Sequence, residues 1–396
     1  MKDPFSLSVD LAQRLEALES ESLRRSLRDL SSAQGVVIEW QGQTLLNFSS
    51  NDYLGLAAEP QLAEAGRRAL GKYGSGAGAS RLVCGSLPPH VELESALAEW
   101  KGTEGAIAFS SGYAAAVGSI PALVGPGDVV ILDKLCHASL IDGARLSGAQ
   151  LRVFPHNGLE RLQTQLAWAR KKFPRARVLV VTESVFSMDG DRAPLADLVA
   201  LKERFGAWLM VDEAHATGLF GEGGRGLVEA AGLRERVDIQ MGTLSKALGG
   251  SGGFICGLKV LVDWLANRAR SFVFSTAPSP VAAAMAVEAV HWIQGEEARG
   301  RRRQLRRNVE TLTRCAPGCF PEPMSAILPM QLGEEAVALE VAGRLLEAGF
   351  WVPAIRYPTV ARGAARLRVA LSALHSEAMV EGLGRALVQL AARKRV

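Results

Sequence analysis

A lysine in the second half of the 396-residue chain lies among hydroxyl and glycine residues. The segment Thr243-Leu244-Ser245-Lys246 follows an apolar run at 239–242, and residues 249–253 read Gly-Gly-Ser-Gly-Gly. An amine attacks an aldehyde only in its neutral form, so a lysine in a desolvated pocket suits Schiff-base chemistry. A solvated loop lysine is the alternative, but these neighbours are unlike those of a surface lysine. The segment therefore predicts that Lys246 is a nucleophile.

A carboxylate and an imidazole follow a second apolar run, at 208–211, in the string Asp212-Glu213-Ala214-His215. A similar string marks a class of helicases, but a helicase also needs an upstream GxxxxGK[ST] phosphate loop, which the sequence lacks. Beside a nucleophilic lysine, Asp212 fits pyridoxal 5′-phosphate (PLP). The ring nitrogen of PLP needs a carboxylate to stay protonated and to draw electrons from a substrate carbanion. We therefore predict a PLP enzyme.

The phosphate of PLP requires backbone N–H donors and hydroxyl groups, which the start of a helix provides. Ser110-Ser111-Gly112-Tyr113 follows the apolar run at 106–109 and begins a helical pattern. Thr243 and Ser245 can add hydroxyl groups. We expect the phosphate to bind there.

Short apolar runs alternate with helical patterns through the middle of the chain. They lie at 106–109, 129–132, 151–154, 178–182, 208–211, 239–242 and 253–256. This rhythm is typical of a mostly parallel sheet with helices on both faces. Ligands gather at the carboxyl ends of the strands in such sheets, so the polar residues directly after the runs are candidates for chemistry. We predict an α/β fold with a large seven-stranded sheet domain.

The ends of the chain predict smaller structures. Leucines among charged residues at 8–30 predict an amphipathic helix that packs on another surface, and the alternation around Gln41-Gly42 predicts a hairpin at 36–46. A helical pattern at 280–313 leads to a predicted smaller α+β domain. Its strands are expected at 326–332 and 367–370, with a helix at 336–348 between them. We expect three parts: an N-terminal arm with the hairpin at 1–48, a PLP-binding α/β domain at 49–290 and a C-terminal α+β domain at 291–396.

Charge and composition restrict the partners. The 45 basic and 41 acidic residues give a net charge of +4, too small an excess to predict binding to nucleic acid. Six arginines between 299 and 307 spread around a helix, which predicts a solvated surface. Contact with an acidic or phosphorylated acyl carrier is the alternative for these arginines.

Cysteines and apolar segments bear on the compartment. The five cysteines lack pairs with zinc spacing, so we expect no metal site and instead buried thiols in a reducing cytosol. No apolar signal core occurs, and no uninterrupted apolar stretch reaches about 18 residues. We expect a soluble, cytoplasmic protein with no membrane partner.

Several motifs together resemble the α-oxoamine synthases, which condense amino acids with acyl-CoA thioesters. The resemblance runs nearly end to end and implies fold type I of the PLP enzymes, an aspartate-aminotransferase-like transferase. The motifs that carry it are Ser49-Ser50-Asn51-Asp52-Tyr53-Leu54-Gly55, Gly74-Ser75-Gly76 before Ser80-Arg81, the segments 133–139, 182–190 and 212–218, Thr243-Leu244-Ser245-Lys246, and Arg366-Leu367-Arg368.

The resemblance implies four catalytic residues. Lys246 would hold PLP as a Schiff base, and its amine, once freed, would remove the α-proton of the amino acid. Asp212 would pair with the ring nitrogen, and His215 would contact the phenolic oxygen of the ring. His137 would stack on the ring. A lone histidine after a strand is usually structural, but Lys134-Leu135-Cys136-His137-Ala138-Ser139 matches the stacking motif of the family.

The resemblance also implies a larger binding site within a homodimer. Ser187 would touch the phenolic oxygen, and the other cofactor-binding residues would be Ser111, Gly112, Tyr113, Glu183, Thr243 and Ser245. Ser275 and Thr276 would reach the PLP phosphate of the partner subunit, which places the active site at the subunit interface. Some relatives have tyrosine where this chain has Phe274, so a hydroxyl contact is missing or replaced.

Substrate contacts are implied for four residues. Arg368 would bind the carboxylate of the amino acid with both prongs of its guanidinium group. A structural ion pair is the alternative for Arg368. Asn51, Thr359 and Arg25 would contact the substrates, and Arg25 could meet the acyl carboxylate or the phosphates of coenzyme A.

Family members pair alanine with a pimeloyl thioester, glycine with a succinyl or acetyl thioester, or serine with a palmitoyl thioester. The segments 49–53, 186–191 and 354–360 most resemble the members that use L-alanine with pimeloyl-CoA or a pimeloyl carrier protein in biotin biosynthesis. Tyr357-Pro358-Thr359-Val360 also resembles members that use glycine with succinyl-CoA. Glycine is therefore the second expectation.

Two functions of other classes stay open. Residues 249–253 also match GxSxG, the nucleophile elbow of α/β-hydrolases, with Ser251 as the nucleophile. That elbow needs a strand immediately before the serine, whereas the predicted strand ends at Gly242 and Lys246 intervenes. A non-enzymatic binding module would lack a catalytic group, yet every group that the resemblance requires is present.

Overall fold

The computed structural model describes residues 6–392, which form two compact units. The larger unit comprises Asn51–Ser187 and Asp191–Gln304. The smaller unit comprises the described residues up to Ser50, the short segment Met188–Gly190 and the residues from Leu305 onward.

Helices and strands alternate through most of the chain. The helices are α1 (Leu7–Ser20), α2 (Pro60–Tyr73), α3 (Pro88–Lys101), α4 (Gly112–Leu123), α5 (Ala138–Leu146), α6 (Leu159–Lys172), α7 (Leu195–Phe205), α8 (Leu227–Ala230), α9 (Lys259–Arg268), α10 (Arg270–Val273), α11 (Pro280–Trp292), α12 (Glu296–Cys315), α13 (Glu335–Glu347) and α14 (Glu377–Ala392). The strands are β1 (Val37–Trp40), β2 (Gln43–Asn47), β3 (Gly105–Phe109), β4 (Val129–Asp133), β5 (Gln150–Phe154), β6 (Val178–Glu183), β7 (Trp208–Asp212), β8 (Ile239–Thr243), β9 (Gly253–Gly257), β10 (Ile327–Gly333), β11 (Phe350–Trp351), β12 (Ala354–Ile355) and β13 (Ala365–Ala370).

A seven-stranded sheet in the order β3-β9-β8-β7-β6-β4-β5 forms the centre of the larger unit. The strands from β8 to β5 in that order pair in parallel, whereas β9 pairs antiparallel with both β3 and β8. The strands β3, β4, β6, β8 and β9 are buried along their whole length, because helices cover both faces, and they therefore read as continuous apolar runs. The seven predicted strands and the mostly parallel sheet are confirmed.

Two small sheets form the smaller unit. The hairpin of β1 and β2 is confirmed, and its turn residues Gln41 and Gly42 have φ of 50° and 76°, the positive values that a type I′ turn requires. The strand β11 extends this sheet in parallel with β2. The second sheet has the order β10-β13-β12 and is antiparallel, and α13 lies between β10 and β11 in the chain. The predicted α+β architecture of the C-terminal part is confirmed.

Two predicted helices end differently from the pattern. The helix expected at 8–30 ends at Ser20, because Ser22 has a φ of 56°, which a right-handed helix cannot continue. None of the residues of α1 is buried. The single helix expected at 280–313 is divided into α11 and α12, and the turn at Gly295 closes on the carbonyl of Trp292.

The surface prediction for the arginine run is wrong for one residue. The Arg302 side chain is buried and donates to the backbone carbonyls of Gly218 and Ile293, so it fastens a turn rather than facing water. The prediction of buried thiols is likewise wrong for Cys84, which is exposed. Among residues 6–392, no helix is long and apolar enough to cross a membrane.

Candidate functional site

Lys246 lies in the turn that follows β8, at the carboxyl edge of the large sheet. Its Nζ lies 2.8 Å from Nε2 of His215, which follows β7. On the other side of the imidazole, Nδ1 lies 2.7 Å from the hydroxyl of Tyr53. That hydroxyl donates to Oδ1 of Asn51 at 3.2 Å. A hydrogen-bonded chain therefore runs from Asn51 to Lys246.

The direction of these bonds defines the tautomer of His215. The hydroxyl of Tyr53 has one proton, and with the oxygen of the Asn51 amide facing it that proton is used in the bond to Asn51, which assigns the donor role in the other bond to Nδ1 of His215. In the neutral imidazole, Nε2 then accepts from the amine of Lys246. Tyr53 is 1% exposed, and the sequence analysis gave it no role. The available signal was its place in the polar loop before the first helix of the larger unit.

Two buried carboxyl groups lie side by side at the ends of β6 and β7, where Glu183 pairs in register with Asp212. Burial raises the pKa of Asp212, and the positive charge of Lys246 acts against that rise. Burial raises the pKa of Glu183 to about 8, with a further contribution from the charge of Asp212. At neutral pH, Glu183 therefore holds a proton more readily than an ordinary glutamate.

His137 is the N-cap of α5, and its Nδ1 lies 2.8 Å from the hydroxyl of Ser139. Its backbone N–H donates to Oε1 of Glu183 at 2.5 Å. Desolvation lowers the pKa of the His137 imidazole, Asp212 opposes this effect, and Lys246 adds to it. His137, Glu183, Asp212 and Lys246 thus lie within electrostatic reach of one another, and the imidazole is neutral at neutral pH.

The predicted phosphate-binding residues also come together. Ser111 is the N-cap of α4 and accepts from the N–H of Ala114 at 3.0 Å. A Cβ atom placed on Gly112 would lie 3.6 Å from Thr243, whose Oγ1 is 2.8 Å from the hydroxyl of Ser245. The start of α4 therefore lies against the turn that leads to Lys246. Tyr113 donates its hydroxyl proton to Asp142 at 2.7 Å.

The functional groups of this site match the groups of PLP that must be bound. A primary amine suits the aldehyde, a buried carboxylate suits the pyridinium nitrogen, and a helix start with added hydroxyl groups suits the phosphate. Asp212 and Glu183 are 5% and 2% exposed, and because the raised pKa of about 8 keeps Glu183 largely protonated, it is the carboxylate of Asp212 that needs a cation, which a protonated ring would supply. Among residues 6–392, no group of three or more His, Cys, Asp or Glu side chains could hold a metal ion.

The remaining predicted residues lie in several places. Ser187 is buried after β6, and its backbone N–H bonds to Glu183. Ser275 and Thr276 follow α10, and Thr276 forms a β-bridge with Ser80. Their contact with a partner subunit stays a prediction.

Three of the predicted substrate residues belong to the smaller unit. Arg25 donates to the hydroxyl of Thr359 at 3.1 Å and to the carbonyls of Arg356 and Tyr357. Arg368 lies on β13 and is 7% exposed. Substrate binding by Arg25, Asn51, Thr359 and Arg368 stays a prediction.

Ser251 lacks the setting of a nucleophile elbow. It is exposed in the loop before β9, so a strand follows the serine, whereas the elbow requires a strand before it and a helix after it. The geometry opposes the hydrolase alternative.

Comparison with known proteins gives consistent results. Residues 43–387 match the family model described as aminotransferase class I and II. The chain is 47% identical over 381 residues to an 8-amino-7-oxononanoate synthase of Herminiimonas arsenicoxydans, which covers 94% of this chain and 97% of that protein. Serine palmitoyltransferase from S. paucimobilis, solved with a bound PLP–myriocin aldimine, has a TM-score of 0.91 and 31% identity over 99% of both chains. The crystal structure of 8-amino-7-oxononanoate synthase from Francisella tularensis has a TM-score of 0.75 and 26% identity over 89% of this chain and 99% of that one.

Proposed function

Because this chain belongs to the class I and II aminotransferase family, we propose that it has the activity of an 8-amino-7-oxononanoate synthase. The reaction condenses L-alanine with pimeloyl-CoA or a pimeloyl carrier protein, releases carbon dioxide and the free thiol, and serves biotin biosynthesis. The observation that carries the proposal is the amine of Lys246 bonded to His215 in a site shared with Asp212, in a chain so similar to a named synthase.

Bound PLP supplies an aldehyde that joins to amines and a protonated ring that withdraws electrons. Lys246 would hold this aldehyde, and the bond to Nε2 of His215 keeps the free amine at the carboxyl edge of the sheet. With its amine free, Lys246 would be the group that removes the α-proton of the amino acid and later returns a proton to the product. The bonds to Tyr53 and Asn51 fix the ring of His215, so the acceptor nitrogen keeps facing the lysine.

Asp212 and Glu183 would have two different tasks in the site. Asp212, at the end of the central strand β7, would pair as a carboxylate with the pyridinium nitrogen. Glu183, whose pKa burial raises to about 8, stays largely protonated and holds the backbones of His137 and Ser187. The neutral imidazole of His137 could stack on the cofactor and donate a hydrogen bond from Nε2, since its Nδ1 accepts from the N–H of Ser139.

Substrate recognition and assembly complete the proposal. We propose that Arg368 binds the carboxylate of L-alanine, and that Arg25, Thr359 and Asn51 contact the substrates. A homodimer is supported by a groove of about 600 Å³ in the larger unit, lined by Leu146 and Phe274, whose exposures are 68% and 72%. In that dimer, Ser275 and Thr276 would reach the phosphate of the partner's PLP. Free thiols persist in a reducing compartment, which supports a cytoplasmic location.

The proposal is tested with purified protein and two lysine variants. We expect the native protein to bind PLP with an absorbance band in the visible range and to release free thiol when L-alanine and pimeloyl-CoA are both present. Lys246→Ala should lower the turnover number by about 10²–10⁴-fold, because it removes the proton-transfer group. Lys259→Ala, at an exposed lysine paired with Asp263, is the matched control and should leave turnover unchanged.

Other substrate pairs separate the family members. Glycine with succinyl-CoA, and L-serine with palmitoyl-CoA, should give less than a tenth of the thiol release, because the acyl chain and side chain differ by groups worth about 1–3 kcal/mol each. If glycine with succinyl-CoA releases thiol and L-alanine with pimeloyl-CoA does not, the chain catalyses a glycine-using reaction instead. A protein that does not take up PLP would overturn the proposal.

A further inference from the structure

His156 bridges two carboxylates near the predicted cofactor site, in the loop after β5. Its Nδ1 lies 3.1 Å from Oδ1 of Asp133, and its Nε2 lies 2.6 Å from Oδ2 of Asp191. A neutral imidazole has a proton on only one nitrogen, so two bonds to carboxylate oxygens require the doubly protonated ring. Asp133 is 1% exposed, whereas the side chains of His156 and Asp191 are about a quarter exposed at 25% and 29%. The bridge is therefore an imidazolium between two acids at the edge of the larger unit.

The electrostatics of the cluster agree with the geometry. Burial lowers the pKa of His156, but the bonds to Asp133 and Asp191 outweigh this effect and raise the pKa to about 10. The edge of the His156 ring also faces Phe186, with ring centroids 4.3 Å apart and planes at 89°. The charge on His156 therefore persists throughout the neutral range.

Asp133 forms several hydrogen bonds at the start of the loop that leads to His137. It is the last residue of β4, and its Oδ1 also accepts from the backbone N–H of Leu135 at 2.8 Å. Its backbone carbonyl accepts from Cys136, and its Oδ2 accepts from the N–H of Asn157. The path from β4 to His137 therefore depends on the position of one carboxylate.

Asp191 is hydrogen-bonded to the loop that contains Ser187. Its carbonyl accepts from the N–H of Phe186 at 3.0 Å, and the neighbouring residues Val185 and Arg192 form a β-bridge. The amide of Asn157 adds a bond to Oδ2 of Asp191 at 3.2 Å. Asp191 is thus fastened directly beside Ser187.

The two loops meet at Glu183, which is buried, and again at His156, which is partly exposed. Glu183 accepts from the backbone N–H groups of His137 and Ser187. The bridge Asp133–His156–Asp191 fastens the same two loops a second time. Asn157 also joins the two loops, because its backbone N–H donates to Asp133 and its side-chain amide donates to Asp191, but among the residues that the structure describes His156 supplies the only charged link between the two carboxylates.

We propose that His156 is a positioning residue, whose imidazolium ties Asp133 to Asp191 and so holds His137 and Ser187 in a fixed relation at the cofactor. The inference rests on the proposed function, because His137 and Ser187 are cofactor contacts only if PLP binds. His156 itself contacts Asp133, Asp191 and Phe186, so it acts through them.

The test begins with the protein before PLP is added. Amide hydrogen exchange should increase in both 134–140 and 183–187 when His156→Gln replaces the cation. We expect at least about tenfold faster exchange in each, since a bond to a charged group is lost on either side. Exchange in α3 should not change. His291→Gln, at an exposed histidine on α11, is the matched control and should leave both segments as in the native protein.

The second readout uses the PLP-loaded enzyme. His156→Gln should lower the turnover number with L-alanine by about tenfold, shift the pH at which the absorbance of bound PLP changes, and leave KM for pimeloyl-CoA unaltered. The double variant His156→Gln/Asp191→Asn removes one of the two facing charges and should recover part of the turnover. Asp191→Asn alone is the milder variant if His156→Gln does not fold, and it should increase exchange in 183–187 more than in 134–140.

The outcomes separate the two proposals. Lower thermal stability with native exchange in both segments and a native spectrum would overturn the positioning role, whatever the activity. If the native protein does not bind PLP or use L-alanine, the proposed function fails, and the exchange result still decides whether His156 fastens the two loops.

Discussion

The buried ion pair of Lys101 and Glu213 should be a main support of the larger unit. Lys101 ends α3, Glu213 follows Asp212, and Nζ lies 2.7 Å from Oε2 with both side chains 0% exposed. Lys101 also donates to the carbonyl of Arg225, and Oε1 of Glu213 accepts from the N–H of Val228 at 2.9 Å. Lys101→Met removes the cation and keeps most of the side-chain volume.

The expected loss in the free energy of unfolding follows from the burial of the Lys101–Glu213 pair. Removing one partner of a buried pair leaves the other charge unpaired and costs about 3–5 kcal/mol. A domain is stable by only about 5–15 kcal/mol, so this loss is a large fraction of the free energy of unfolding. The matched control is Arg236→Met, which breaks the pair with Glu203, where the side chains are 48% and 42% exposed. That change should leave the free energy of unfolding nearly unchanged, because water screens the exposed pair.

Urea unfolding followed by circular dichroism measures both losses. The double variant Lys101→Met/Glu213→Gln carries no unpaired charge and should recover at least about half of the loss, which makes the coupling energy about 2 kcal/mol or more. A Lys101→Met protein within about 1 kcal/mol of the native protein would refute the reasoning, because a fully desolvated glutamate cannot lose its cation so cheaply.

Two further predictions concern pH and packing. Burial lowers the pKa of His375 to about 4 in the folded chain, whereas in the unfolded chain the same imidazole has a pKa of about 6.5. Between pH 6.5 and 4 the unfolded chain therefore binds a proton that the folded chain does not. The free energy of unfolding should fall by roughly 3 kcal/mol over that range. His375→Gln should reduce that acid dependence in urea unfolding, and His291→Gln should retain it. Gly253→Ala should cost about 1–3 kcal/mol and weaken PLP binding in a spectral titration, because its Cβ would lie 2.6 Å from the backbone of Gly112 at the start of α4. Gly343→Ala, with open space at its Cβ in α13, should instead stabilise by up to about 1 kcal/mol.

The elements of the large sheet could be predicted from sequence because each strand carries its own signal. A strand buried on both faces is a continuous apolar run, and the polar residue that ends the run lies at the sheet edge by chain geometry alone. Asp212 and Lys246 were therefore found without any knowledge of strand order. Asp212 is the last residue of β7, and Lys246 lies three residues after the end of β8, so chain geometry places both at the same edge of the sheet.

Other features depended on contacts between residues far apart in the chain. Tyr53 and His215 are separated by 162 positions, and their bond is invisible to any local pattern. The same holds for Lys101 and Glu213. In the sequence they resemble ordinary charged surface residues, and only the fold shows that both are buried and paired.

Local patterns also failed where a single residue changed the course of the backbone. The leucine spacing at 8–30 continues past Ser20, but the positive φ of Ser22 ends the helix. His156 gave no signal because its role depends on two carboxylates distant in sequence, Asp133 at the end of β4 and Asp191 in the loop after β6.

The sequence by itself determined the kind of residues available, the strands and the edge of the sheet at which the lysine and aspartate lie. The tertiary structure decided which charges are buried, which are paired and which loops are fastened to each other. The physical reason is that local periodicity reports burial of a face, whereas the free energy of a charge or hydrogen bond depends on partners that only the folded chain brings within about 3 Å.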